Sequence, residues 1–265
     1  MKLAVTGKGG VGKTTLAGAM AMLLARQGTT VLALDADPDA NLASALGMPA
    51  EMRRGIVPIA EHRAMIEERT GAKVRQYGQI FKLNPEVSDL ADRYALKYND
   101  VALLVLGAIE SGGSGCACPE NVIASSLIAD LVLYKNESLI IDMEAGLEHL
   151  GRATARRVDG MIIVVEPGQR SIDSAYRIIR MAGEIGVTNI KVVGNKVADA
   201  RDEQFIGSAF PDGGLIGMIP YDDGFRRADR DHRSVLDHIG DEQVARLGSI
   251  VEHLAGGFRP DAGQV

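Results

Sequence analysis

Gly7-Lys8-Gly9-Gly10-Val11-Gly12-Lys13-Thr14 is the stretch on which the reading of this chain turns. It matches G-x-x-x-x-G-K-[ST], and it sits where that pattern has mechanical meaning, between an apolar run (Leu3–Thr6) and a helical pattern (Lys13–Gln27). Glycines let the backbone curl until several N–H groups point at one anion, and the helix start adds its positive end. Lys13 is expected on the β- and γ-phosphates of ATP and the Thr14 hydroxyl on Mg²⁺. Gly9, Gly10, Val11, Gly12 and Thr15 complete the expected phosphate-binding set.

Working outward, short runs rich in Val, Ile and Leu recur at Leu3–Thr6, Thr30–Asp35, Val101–Gly107, Ser138–Asp142, Gly160–Val165, Ile190–Asn195 and Leu215–Ile219. They do not alternate with polar residues, which marks parallel strands covered on both faces. Helical patterns fall between them at Lys13–Gln27, Pro119–Leu133, Leu147–Arg157, Ser171–Ile185 and Asp241–Leu254. This rhythm predicts an α/β fold: a doubly wound, mostly parallel β-sheet flanked by helices, of the P-loop NTPase kind. Residues 48 to 98 fit it least. They carry a helical stretch, Ile59–Thr70, and polar turns around Asn84 and Asp100, and read as an insertion between two core strands with no core of its own. The expectation is one P-loop ATPase domain over 1–265, with 256–265 a frayed tail.

Composition narrows the class. The 265 residues are 46% hydrophobic and 24% charged, with a formal net charge of -6. That balance suits a soluble globular protein and speaks against a surface built for nucleic acid or acidic lipid. A strand pattern begins straight after Met1, where a signal peptide would need a longer apolar stretch. The longest apolar run, Val101 to Ile109, is too short to span a bilayer. A cytoplasmic protein is expected, with no nucleic-acid or membrane partner.

Carboxylates follow two of the apolar runs. Asp35-Ala36-Asp37-Pro38 closes the second, where ligands bind in open α/β sheets, and carboxylates there can orient water or hold Mg²⁺ through water. Asn41 reads as a helix cap. Asp142, in Ile140-Ile141-Asp142-Met143-Glu144-Ala145-Gly146, fits a carboxylate holding Mg²⁺ through water, and the Gly146 N–H can sense the γ-phosphate. Asn195-Lys196 ends the sixth run and Pro220-Tyr221-Asp222 follows the seventh. An amide such as Asn195 can both donate to and accept from an adenine edge. Asp222 reads equally as a turn residue after proline.

The two cysteines, Cys116 and Cys118, lie in Gly112-Gly113-Ser114-Gly115-Cys116-Ala117-Cys118-Pro119. In an extended segment Cys-x-Cys points both sulfurs to one side, and thiolates beside a helix start are acidified and bind soft metals. Two sulfurs are too few for a closed site, but a two-fold axis would bring four together, for Zn²⁺ or Ni²⁺. None of the five histidines has zinc-type spacing with another or with the cysteines.

With Lys8 the loop reads Lys-Gly-Gly-Val-Gly-Lys-Thr-Thr, which resembles the deviant phosphate loop of the MinD/ParA/nitrogenase-iron-protein class of ATPases. The resemblance implies a homodimer on ATP, with Lys8 crossing to the partner's nucleotide. It also implies Asp37 as the residue that positions the attacking water, Asp35 nearer the metal, and a base site near Asn195, Lys196 and Asp222. Gly-Ser-Gly-Cys-Ala-Cys-Pro-Glu at 113–120 and Asp-Met-Glu-Ala-Gly-Leu-Glu-His at 142–149 narrow the likeness to the CooC-type accessory ATPases. These mature the nickel site of carbon monoxide dehydrogenase, the client the resemblance implies. Nitrogenase iron proteins are similar, but their second cluster cysteine follows the Asp142 motif, where this chain has none. An electron-transfer protein with a dimer-bridging iron–sulfur cluster and a MinD/ParA-like spatial regulator are the alternative readings. The helix Asp241–Leu254, with a single Arg, makes a poor anchor for the latter.

Overall fold

Seven of the apolar runs become the parallel part of one sheet. The computed structural model describes residues 1–74, 79–80, 82–107, 119–130, 136–144 and 158–257. Eight strands lie in the order β3-β4-β2-β5-β1-β6-β7-β8. They are β1 (Lys2–Gly7), β2 (Thr30–Asp35), β3 (Leu96–Tyr98), β4 (Val101–Val105), β5 (Glu137–Asp142), β6 (Gly160–Val165), β7 (Ile190–Val197) and β8 (Leu215–Pro220). Every pairing is parallel except β3 with β4. The central strands are apolar on both faces because both are covered: Leu139, Ile140, Ile141 and Met161 to Val165 are all 0% exposed.

The helices described are α1 (Lys13–Arg26), α2 (Leu42–Ala45), α3 (Ala50–Arg54), α4 (Arg63–Thr70), α5 (Leu90–Tyr94), α6 (Pro119–Asp130), α7 (Gln169–Ile185), α8 (Ala200–Ala209), α9 (Asp223–Asp231) and α10 (Asp241–Gly257). On one face α1, α2 and α10 bury Leu16, Met20, Leu42, Leu247 and Leu254 against Leu3, Val5, Val31 and Ile162. On the other, α4, α6 and α7 bury Ile66, Ile123, Leu127, Ile172 and Ile178 against Leu34, Leu104, Ile141 and Ile163.

The stretch 48–98, expected as an insertion, packs its described apolar residues against the sheet. Its Ile59, Met65, Ile66, Val87 and Leu90 join the second of these clusters. Its helical stretch is a 3-10 turn over Ile59–Glu61 followed by α4. Its last residues form β3, an antiparallel edge strand the sequence reading did not anticipate. β3 returns into β4 through Asn99 and Asp100, at φ 46° and 61°. Left-handed φ at both central residues is what a two-residue type I′ hairpin demands, and Asn and Asp tolerate it best after glycine. The expected strand over Val101–Gly107 stops at Val105, and the one over Ile190–Asn195 runs on to Val197. The helix expected over Leu147–Arg157 lies outside the described residues, as do 258–265 of the tail; α10 itself continues to Gly257. Among the described residues no helix is long and apolar enough to cross a membrane.

Register sets up the site. Asp35 pairs with Asp142 across β2 and β5, Val5 pairs with Asp142 across β1 and β5, and Gly7 pairs with Val164 across β1 and β6. The two aspartates and the start of the phosphate loop therefore share the C-terminal edge of the sheet, on its central strands.

Candidate nucleotide site

The loop from Gly7 to Gly12 works only with glycine at its ends. A Cβ on Gly7 (φ 147°) would stand 2.4 Å from the Val164 carbonyl oxygen, and one on Gly12 (φ 97°) 2.3 Å from Asn195 Nδ2. Gly12 is the N-cap of α1, with no side-chain cap and no acidic residue in the first turn. The orphan N–H groups and positive end of a fourteen-residue helix thus face the loop unopposed. Lys13 is 8% exposed, its Nζ donating to the Lys8 carbonyl at 3.4 Å. Thr14, the second residue of α1, lies beside Asp142.

Asp35 and Asp142 are both 0% exposed. Burial pushes Asp35 up to about 6, against N–H groups of Leu42 and Asp37 that donate to it at 2.8 and 3.2 Å. It pushes Asp142 up to about 7, with the Asp35 carboxylate adding to the shift and Thr14 and Lys13 opposing it. The Thr14 hydroxyl lies near enough to oppose, yet neither Asp142 oxygen has a hydrogen-bond partner among the described residues. A buried carboxylate with two orphaned oxygens, flanked by a threonine hydroxyl and a lysine, suits a hydrated divalent cation. These residues fit Mg²⁺.

Asp37 lies on the partly exposed segment just past β2, and its Oδ1 accepts from Asp39 N–H at 3.0 Å. Asn41 stands at the N-cap of α2 but makes no side-chain cap bond; Asp35 takes the Leu42 N–H instead, from a buried position the exposed Asn41 cannot match.

Asn195 sits under the phosphate loop. Its Nδ2 donates to the Val11 carbonyl at 2.7 Å and its Oδ1 accepts from Lys196 N–H at 2.9 Å, which among the described residues leaves one amide hydrogen for a ligand. Lys196, at φ 59° where the β7–β8 register shifts, turns back so that its Nζ donates to the Gly10 carbonyl at 2.6 Å. Asp222 is the N-cap of α9, its Oδ1 accepting from Gly224 N–H at 2.6 Å, which is the turn role its position after proline also allowed. Gly146, Cys116 and Cys118 lie outside the described residues. Among the described residues no group of three His, Cys, Asp or Glu is placed to hold a metal.

One residue escaped the sequence reading. Glu166, directly after β6, faces Lys196 at 3.0 Å and Lys8 at 3.9 Å. The available signal was a charged residue closing the fully buried run Gly160–Val165, at the sheet edge where ligands bind.

The nucleotide-binding domain of the CobQ/CobB/MinD/ParA family matches residues 2–235. The carbon monoxide dehydrogenase accessory protein CooC of Rhodospirillum rubrum is 42% identical over 257 residues, 96% of this chain and 97% of that one. The chain is a CooC-type member of the CobQ/CobB/MinD/ParA family. It is accordingly a P-loop ATPase. An uncharacterized ATP-binding protein of Methanocaldococcus jannaschii is 44% identical over 84% of this chain and 86% of its own length. MinD in the MinC:MinD cell division complex of Aquifex aeolicus shares the fold, at a TM-score of 0.67 and 22% identity over 98% and 97% of the two chains. A ParA family ATPase of Chlorobium tepidum does so at 0.68 and 20%, over 95% and 96%. The phosphate loop thus stands on the scaffold these ATPases share, Asp35 and Asp142 beside it.

Proposed function

We propose that this ATPase couples its nucleotide state to handling a nickel ion destined for carbon monoxide dehydrogenase. The observation that carries the reading is the 42% identity, nearly end to end in both chains, to a protein named for that enzyme's accessory role. The Cys116-Ala117-Cys118 sequence supports the metal half, since it supplies soft ligands of the right kind in a chain with no other cysteine.

In this reading two chains pair around two ATP molecules. Lys13 neutralises the β- and γ-phosphates, and Thr14 with Asp142 holds Mg²⁺, directly and through water. Bound Mg²⁺ supplies charge neutralisation across the phosphate oxygens. Asp37 orients the attacking water, Asp35 fixes the Asp37 backbone, and Lys8 reaches the partner's nucleotide. The Gly146 N–H reads the γ-phosphate. Asn195, Lys196 and Asp222 border the seat of the base, Asn195 with its remaining amide hydrogen. Cys116 and Cys118 of both chains give four thiolates for Zn²⁺ or Ni²⁺ as cargo, loosened when hydrolysis changes the dimer. The work is cytoplasmic and needs neither nucleic acid nor membrane.

Reconstitution tests this. Nickel-free carbon monoxide dehydrogenase is incubated with limiting Ni²⁺, Mg·ATP and this protein. Activation should require ATP and be lost with the Cys116→Ala/Cys118→Ala protein or with Asp37→Ala. Equal activation by the double cysteine variant would overturn the reading.

A further inference from the structure

Cations crowd the phosphate loop, and one carboxylate stands among them. The Glu166 N–H donates to Ser171 Oγ at 3.0 Å, which anchors its backbone on a buried serine in the first turn of α7. Its Oε2 meets Lys196 Nζ at 3.0 Å, and its Oε1 lies 3.9 Å from Lys8 Nζ. Lys196 Nζ also donates to the Gly10 carbonyl, so it keeps a second partner on the loop. Lys8 is held by the carboxylate at the outer limit of an ion pair, with 39% of its side chain exposed.

We propose that Glu166 is a positioning residue that parks Lys8 on its own chain's loop and hands it over when ATP brings a second chain alongside. This rests on the reading that Lys8 serves the partner's nucleotide. Three features of the geometry support it. A lysine is a point charge on a flexible stem, so its resting direction is set by whichever acid it faces. An exposed pair contributes little, as suits a contact that must break in each cycle. And Lys8 can leave without orphaning the acid, because Lys196 stays on Glu166 from its seat on Gly10.

Sedimentation of wild type, Glu166→Gln, Lys8→Ala and the double variant, with Mg²⁺ and a non-hydrolysable ATP analogue, tests the inference. Glu166→Gln should form dimers at an analogue concentration about two- to fivefold lower, the range for loss of an exposed pair. That shift should vanish in the Lys8→Ala background. If Glu166→Gln does not melt cooperatively, Glu166→Asp replaces it; one methylene shorter, it loses reach to Lys8 and should shift dimerisation the same way. An unchanged or raised concentration, with Lys8→Ala still weakening dimerisation, would overturn the role of Glu166 and leave the reading of Lys8 standing. A shift that persists without Lys8 would also overturn it, because Glu166 would then act on the nucleotide by charge alone. Unaltered dimerisation by Lys8→Ala would sink the reading of Lys8, and the inference with it.

Discussion

Asp142 ends β5 with both oxygens buried and unpartnered, and Asp35 lies directly across the ladder from it. Their carboxyls are held up at about 7 and about 6, against an ordinary 3.8. The folded, nucleotide-free protein therefore keeps protons that the unfolded chain gives up. The stability these two groups contribute is complete below pH 3.8 and drains away as pH rises through about 6 and 7. Without nucleotide or Mg²⁺, the melting temperature should fall between pH 5 and pH 8. Asp142→Asn should flatten that fall and stabilise the nucleotide-free protein at pH 8, by on the order of a few kcal/mol. The same variant should lose Mg²⁺-dependent turnover. Melting curves at the two pH values decide it; a variant less stable than wild type at pH 8 would show that the burial cost has been misread. Lys13 and Asp37 should separate binding from chemistry. Lys13→Ala removes the charge on the phosphates and should weaken ATP binding at least tenfold, whereas Asp37→Ala should keep ATP bound and trap the dimer unhydrolysed. Nucleotide titration beside single-turnover hydrolysis reads both; wild-type hydrolysis by Asp37→Ala would remove its role.

Two junctions between elements differ in what they do. Where β7 meets the phosphate loop, the buried Asn195 amide pins the Val11 carbonyl. Asn195→Ala leaves that carbonyl without its partner and should cost about 1–3 kcal/mol, with weaker nucleotide binding. The β3–β4 hairpin stands at the opposite end of the sheet, before the start of β4. Asn99→Val forces a β-branched residue to φ 46° and should cost about 1–2 kcal/mol with ATP hydrolysis unchanged. Denaturant melts and initial rates on both variants would show whether stability and turnover part company in this way. These elements also show what the sequence could tell. The parallel strands were legible because burial on both faces leaves an unbroken apolar run. β3 was not, because Leu96-Lys97-Tyr98 is three residues at an edge and earns its pairing from the turn that follows. α9 was missed because Asp223–Asp231 is mostly charged and starts from a capping aspartate rather than an apolar stripe. The loop could be read because its curl demands glycines at fixed spacing. Glu166 offered only a charge closing β6, because Lys8 and Lys196 meet it only once three strands are side by side.

For the molecule as a whole, one two-fold arrangement should serve both ATP and metal. Each chain has only the two cysteines, Cys116 and Cys118, and a soft divalent ion prefers four thiolates. Four-thiolate zinc sites are worth roughly 10–16 kcal/mol in small peptides at neutral pH, and even a fraction of that would shift a monomer–dimer equilibrium strongly. ATP and metal should then strengthen one another's binding, because both favour the paired state. The most direct test is the metal content of the dimer, measured by elemental analysis after Zn²⁺ or Ni²⁺ loading in the presence of a non-hydrolysable ATP analogue. One metal ion per two chains is the expected result, lost on changing Cys116 and Cys118 to Ala while ATP binding is spared. One metal ion per chain that survives the double substitution would contradict it, placing the ligands elsewhere and leaving the cysteines to packing.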